Sequence, residues 1–211
     1  MISVLMPSRE RPGLAKQAVD SFGGNPNFEF IVAIDSDDPT LEEYANVPAT
    51  IHITRPYGYR NLHLYFNEML KKSRGDWFML FNDDARLESS AQALHDAVCA
   101  FDPALPYVLN PYNENDNLFP IISKRLYSII KHYSLSPHVD SWVQFIGEET
   151  KTQAHIPNIL IKHFREEMGD ETYRRSRAAV STTAPEYNSE GMIALRQVDV
   201  NKVRRWIHEN Y

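Results

Sequence analysis

The sequence predicts an α/β protein on a mostly parallel, doubly wound sheet with a less regular second half. Two observations carry that expectation. Through the first hundred residues, short apolar runs alternate with segments whose apolar residues recur at helical spacing, the pattern of parallel βαβ units. Three of those runs, Ile2–Met6, Phe28–Ile34 and Trp77–Phe81, break off abruptly into polar turns reading PSRERP, DSDDP and NDDA. Right-handed crossovers would carry all three ends to one edge of the sheet, where open α/β sheets bind ligands.

Each element follows from local pattern. Ile2–Met6 reads as a strand, residues 7–13 as a loop, and Leu14–Phe22 as a helix that Gly23-Gly24 ends. Phe28–Ile34 is a second strand, Leu41–Ala45 a short helix and Thr50–Thr54 a third strand. Leu62, Phe66, Met69 and Leu70 fall at helical spacing, which predicts a helix from about Arg60 to Ser73. The strand Trp77–Phe81 follows it. Beyond lie a helix over Ala91–Phe101, a strand over Tyr107–Leu109, a polar loop over 110–117 and a strand over Leu118–Ile122. Ser123–Tyr133 and His138–Ile146 read as helices, and Ile156–Ile161 as a strand near the sheet edge. Helices over Asp170–Ala179 and Val198–Tyr211 complete the chain, with no internal repeat or linker.

Composition narrows the function classes. A chain of 211 residues fits one domain of ordinary size, and 43% hydrophobic with 24% charged residues is typical of a soluble globular protein. The formal charge of −6 argues against a broadly basic nucleic-acid-binding surface and leaves only a local groove for that purpose. Cys99 stands alone, so no intramolecular disulfide forms and a reducing cytosol is the expected location. The chain goes straight into a strand, with neither a charged leader nor a long apolar segment, so no signal peptide or membrane span is expected.

The NDDA turn carries the most chemistry. Adjacent carboxylates at a strand end repel one another unless water, a cation or donors compensate them. Hard oxygen ligands there suit Mg²⁺ or Mn²⁺ carrying a phosphorylated substrate. The same residues also make an ordinary solvated turn. The rest of the chain decides between these readings.

PSRERP after the first strand, AIDSDD after the second, a helix carrying Asn67, and NDDA after the fourth strand occur in an order that resembles the GT-A nucleotide-sugar glycosyltransferases, closest to the family 2 type. Asn67 precedes Gly75 by eight residues and Gly75 precedes Asn82 by seven, as in the family pattern. The resemblance covers roughly residues 1 to 165. It implies one GT-A-like domain over 1–211: a nucleotide-sugar half (1–100), an acceptor half (101–165) and a helical extension (166–211).

By the same resemblance, Asp35 accepts a hydrogen bond from the nucleotide base, although an Asp-rich turn capping the helix at Leu41 is the structural alternative. Pro7, Ser8 and Arg11 line the nucleoside pocket, and Asn67 and Asp83 belong to the donor side; Arg60, read from its chemistry alone, is equally a bidentate phosphate contact or a surface residue. Asn82 and Asp84 fall on the two acidic positions of Asp-x-Asp. Asn82 departs from that pattern and suits a ribose hydroxyl, which leaves Asp84 as the metal ligand, joined by His163 and less readily by His155. Asp140 takes the place of the catalytic base, with Glu148 or Glu149 as substitutes and helix capping as the structural alternative. Tyr57, Tyr59, Tyr65 and Phe66 serve either the pocket wall or the core, and Arg174, Arg175 and Arg177 either a solvated face or a phosphate or acceptor contact.

The implied activity is transfer of a sugar, with inversion, from a nucleoside diphosphate donor (UDP by family frequency) to a hydroxyl acceptor, with Mn²⁺ or Mg²⁺ as cofactor. Acceptors in view are a glycan, a soluble metabolite, a protein, or a hydroxylated DNA base as in phages. DNA would need a basic groove around Lys124, Arg125, Lys131 or Arg174–Arg177. The rivals are a nucleotide-sugar-binding protein without transfer and, ranked below it, a nucleotidyltransferase. PSRERPG lacks the Gly-rich loop that the second of these needs to hold a triphosphate.

Overall fold

The structure is a computed structural model that describes residues 1–112, 119–164, 169 and 171–211. Most of the expected polar loop at 110–117, together with Leu118 and Asp170, lies outside the described residues.

The first half matches the expectation. Strands β1 (Ile2–Ser8), β2 (Phe28–Asp35), β3 (Thr50–Thr54) and β4 (Trp77–Leu80) lie parallel in the order β3-β2-β1-β4. Every residue of β4, and all but one of β1, is buried, as a sheet covered on both faces requires. Helix α1 (Pro12–Asp20) starts with proline, whose fixed φ suits the first helical turn, and buries Ala15, Ala18 and Val19. Helix α2 (Leu62–Lys72) buries Tyr65, Phe66, Met69 and Leu70, and the turn before it, Tyr59–Asn61, is 3-10 rather than α. Gly75 opens β4 because nothing larger fits: an added Cβ would lie 2.5 Å from Ser3 Oγ and 2.9 Å from two backbone atoms.

The second half supplies the antiparallel pairs. Strands β5 (Ala85–Leu87), β6 (Val108–Tyr112), β7 (Ile121–Ser123) and β8 (Gln153–His163) extend the sheet in the order β4-β7-β6-β8-β5. Only β6 and β8 pair in parallel there. Three-residue β5 has no sequence signature of its own. Helices α3 (Ala91–Cys99), α4 (Lys124–Ile130) and α5 (Val139–Thr150) flank these strands. One continuous apolar core runs from β1 through β8 to Val200 and Val203 near the C-terminus and takes in Trp77 and Trp142.

The last two helices are longer than their pattern predicts. Helix α6 spans Glu171–Tyr187 and α7 spans Glu190–Asn210. On α6 most positions are polar and Pro185 lies inside the helix, which hides the helical period. On α7 the buried face carries Arg196 and Asp199 beside Val200 and Val203. Asp199 is satisfied there by His132 at 3.1 Å, Trp142 Nε1 at 3.2 Å and Lys202 at 2.9 Å. Among the described residues, no helix is long and apolar enough to cross a membrane.

Candidate active site

A cleft of about 310 Å³ lies at the carboxyl ends of β1, β2 and β4. The last residues of these strands and the turns that follow them supply Pro7, Ser8, Arg11, Asp35, Asn82, Asp83 and Asp84 to its wall. Asp140 and His163 complete it from α5 and β8, while one face of α6 covers it.

At one end, Asp35 is buried and held by two donors. Tyr65 OH donates to its Oδ1 and Arg9 Nη1 to its Oδ2, the latter at 2.7 Å. The same Arg9 nitrogen reaches Asp37 at 2.6 Å. Asp38 spends its carboxylate on Thr40 and on the Glu10 amide, so it braces the turn while Asp35 faces the cleft. Burial raises the Tyr65 hydroxyl above its ordinary range, helped by its bond to Asp35. Between Arg9 and Arg11, Glu10 adopts a left-handed backbone (φ 59°), and the two guanidinium groups meet different carboxylates.

In the middle, Asp83 accepts from Ser8 Oγ at 2.7 Å and Arg11 Nη1 at 3.1 Å. Tyr44 OH supports both partners, 2.8 Å from Ser8 Oγ and 3.2 Å from the Arg11 amide. Burial and the neighbouring charge of Asp84 push the Asp83 carboxyl up, against Arg11 and Ser8. Asp83 therefore positions Ser8 and Arg11.

Beside it, His163 Nε2 lies 2.9 Å from Asp84 Oδ1 and 3.3 Å from Asn82 Nδ2. Antiparallel pairing of β5 with β8 places Ala85 opposite His163, and the Phe164 amide bonds the Asp84 carbonyl at 2.9 Å. His163 Nδ1 is buried with no hydrogen-bond partner among the described residues, so the Asp84 contact orients the ring. One carboxylate oxygen and one imidazole nitrogen at this separation fit a small divalent ion, which ordinarily keeps several waters and phosphate oxygens as its other ligands. No cluster of three or more His, Cys, Asp or Glu able to form a closed metal cage occurs among the described residues.

At the far end, Asp140 sits in the first turn of α5. The N-cap is His138, so Asp140 is not the helix cap. Its nearest side-chain donor is Ser141 Oγ at 3.5 Å, and it forms no ion pair among the described residues. Burial pushes its carboxyl upward, opposed by backbone amides of the helix start and by His138.

The remaining sequence candidates divide clearly. Tyr59, Tyr65 and Phe66 wall the cleft, whereas Tyr57 stands behind it, bonded to Glu68. Arg60 is exposed and outside the lining. Asn67 is also outside: it donates to Ser134 O at 2.8 Å and accepts from the Tyr133 amide at 2.7 Å, bracing the turn before α5. Glu149 pairs with Arg204 at 2.9 Å, and Glu148 and His155 are exposed away from the cleft. Lys124 meets Asp76 at 3.4 Å and Arg125 covers the Trp206 ring, so they form no groove with Arg177. Sequence reasoning missed Arg9, Tyr44, His138 and, on α6, Thr172, Tyr173, Ser176 and Val180, although it offered Arg177 as a phosphate or acceptor contact. The first arginine of PSRERP was a signal for Arg9, and the basic run Arg174–Arg177 one for α6.

No protein-family model and no curated protein matches the sequence. Solved structures do. The mannosyltransferase PcManGT from Pyrobaculum calidifontis, in complex with GDP-Man and Mn²⁺, superposes with a TM-score of 0.62 at 11% identity, over 99% of this chain and 74% of that one. TarS (1–349) of S. aureus gives 0.57 at 15% identity, over 96% and 70%. Glucosyl-3-phosphoglycerate synthase from Mycobacterium tuberculosis, with Mn²⁺, UDP and phosphoglyceric acid, gives 0.58 at 13% identity, over 86% and 78%. The fold is that of the GT-A glycosyltransferases.

Proposed function

We propose that this protein is a metal-dependent glycosyltransferase that moves a sugar from a nucleoside diphosphate, UDP first among them, to a hydroxyl acceptor with inversion. One observation carries the reading. Asp84 and His163, 79 residues apart in sequence, meet at 2.9 Å on the ligand edge of the sheet, in a cleft that also holds Asp35 and Asp140. The similar structures bind GDP-Man with Mn²⁺, or UDP with Mn²⁺ or Mg²⁺, which supports the same donor class here.

Asp35 receives the base. Each carboxylate oxygen has two lone pairs, so Asp35 still accepts from a base N–H while Arg9 and Tyr65 hold it in place. Pro7, Ser8 and Arg11 shape the nucleoside wall, and Asn82 meets a ribose hydroxyl. Asp84 and His163 hold the divalent ion, which supplies Lewis-acid neutralisation of the leaving diphosphate. Asp140 takes the proton of the acceptor hydroxyl as that oxygen bonds to the anomeric carbon and the bond to the diphosphate breaks on the opposite face. Its raised carboxyl suits it to hold that proton. Lone, exposed Cys99 suits a reducing compartment.

Thermal-shift titration with UDP, GDP, dTDP and CDP, each with and without Mn²⁺, tests the site. One diphosphate should stabilise the protein only with metal, by about 2.7 kcal/mol at a hundredfold excess over its Kd, and Asp84→Ala should abolish the effect. No response to any of the four would overturn the reading. A nucleotide-sugar-binding protein without transfer is the second reading, favoured by the amide at Asn82 where the family carries an acid. Donor binding with no turnover on any acceptor would select it.

A further inference from the structure

We propose that Arg177 is the second cation for the donor diphosphate, presented by α6 across the cleft from Asp84. This rests on the donor reading above and assigns a group that the Asp-x-Asp region does not contain.

The three arginines of α6 are not equivalent. Arg174 and Arg175 each pair with Glu171 at 3.2 Å, and Arg175 also reaches Glu10 at 3.5 Å. Arg177 has no ion-pair or hydrogen-bond partner among the described residues, and it lines the cleft with Thr172, Tyr173, Ser176 and Val180. These positions form one helical stripe, so the guanidinium belongs to the face turned toward the site. The helix is anchored beyond that stripe by Thr183 Oγ1, 3.1 Å from His138 Nε2, and by the Tyr187 ring, 4.8 Å from the His138 ring.

Charge decides what Arg177 meets. Arg9 is balanced by Asp35 and Asp37, and Arg11, shared between Asp83 at 3.1 Å and Asp84 at 3.8 Å, is outnumbered by them. A divalent ion brings two positive charges, whereas Asp84 and a diphosphate together bring one negative charge more than that. His163, as a neutral ligand, leaves this excess unchanged. Arg177 is the cleft arginine that no described carboxylate occupies, and its forked donors match phosphate oxygens.

Calorimetric titration of UDP and GDP with Mn²⁺, beside uridine and guanosine, tests this on wild type, Arg177→Gln, Arg177→Lys and Arg174→Gln. Arg177→Gln should weaken diphosphate binding roughly tenfold to hundredfold and leave nucleoside binding unchanged. Arg177→Lys should fall between it and wild type, Arg174→Gln should match wild type, and the melting temperature of each free variant should show that it is folded. Wild-type diphosphate affinity in Arg177→Gln, alongside loss in Asp84→Ala, would overturn the proposal and leave the donor reading standing. Equal loss of nucleoside and diphosphate binding would also overturn it. If wild type binds no diphosphate, the donor reading falls and this proposal with it.

Discussion

The two walls of the cleft hold their charges differently. On the wall built by β1, β2 and β4, the charges come paired, Arg9 with Asp35 and Asp37 and Arg11 with Asp83 and Asp84, and the imidazole of His163 on β8 meets Asp84. On the wall built by α5 and α6, Asp140 and Arg177 have no ion-pair partner among the described residues. Paired, buried charges lock side chains into one geometry, because breaking a pair strands its partner in a poor solvent. Unpaired ones stay available to whatever enters. The strand wall is therefore a frame set by folding, and on the proposed reading Asp140 and Arg177 on the helix wall meet their partners in the substrate.

The largest expected effect falls on the free carboxylate. Asp140→Asn should lower transfer by roughly 10²–10⁴-fold while leaving donor binding intact. Burial raises this carboxyl in the folded protein. Its contribution to stability is thus fully present at low pH, where both states are protonated, and is lost as pH rises through the raised value. Asp140→Asn should accordingly melt higher than wild type at neutral pH, with the gap closing as pH falls toward the ordinary carboxylate value of about 3.9. Lower melting at neutral pH would place Asp140 in the frame.

Next in size is the paired wall. Arg11→Met strands Asp83 beside Asp84 and should cost about 3–5 kcal/mol in urea unfolding, with part of it restored by adding Asp83→Asn. Arg177→Met, by contrast, should stay within about 0.5 kcal/mol of wild type. Equal costs would erase the distinction between the walls.

The smallest effect concerns a support behind the cleft. Asn67→Ala leaves Tyr133 N and Ser134 O without their partner and should cost about 1–3 kcal/mol, with nucleotide affinity unchanged. A loss of affinity at unchanged stability would return Asn67 to the donor site, where the family resemblance put it.

Asn67 shows how far sequence spacing reaches. Its eight-residue distance from Gly75 fits the family pattern, yet a side chain on a helix serves whichever neighbour tertiary packing brings to it. Gly75 is the opposite case, because the close approach of β1 leaves no room for a Cβ and one residue type answers that constraint. Helices α6 and α7 were half legible, since buried Arg196 and Asp199 and the polar run over 181–183 break the apolar period that a sequence reading follows.

The sequence by itself determined the βαβ half and the meeting of Pro7, Asp35 and Asn82–Asp84 at one sheet edge, because alternation and crossover handedness are local rules. The resemblance had offered His163 beside Asp84, but tertiary structure decided that the two meet, that Arg9 holds Asp35, and which arginine of α6 stays free. Each of those depends on contacts between distant segments, the first on a three-residue strand pairing with the end of β8. Such pairing is chosen by the packing of the whole chain, and no local period encodes it.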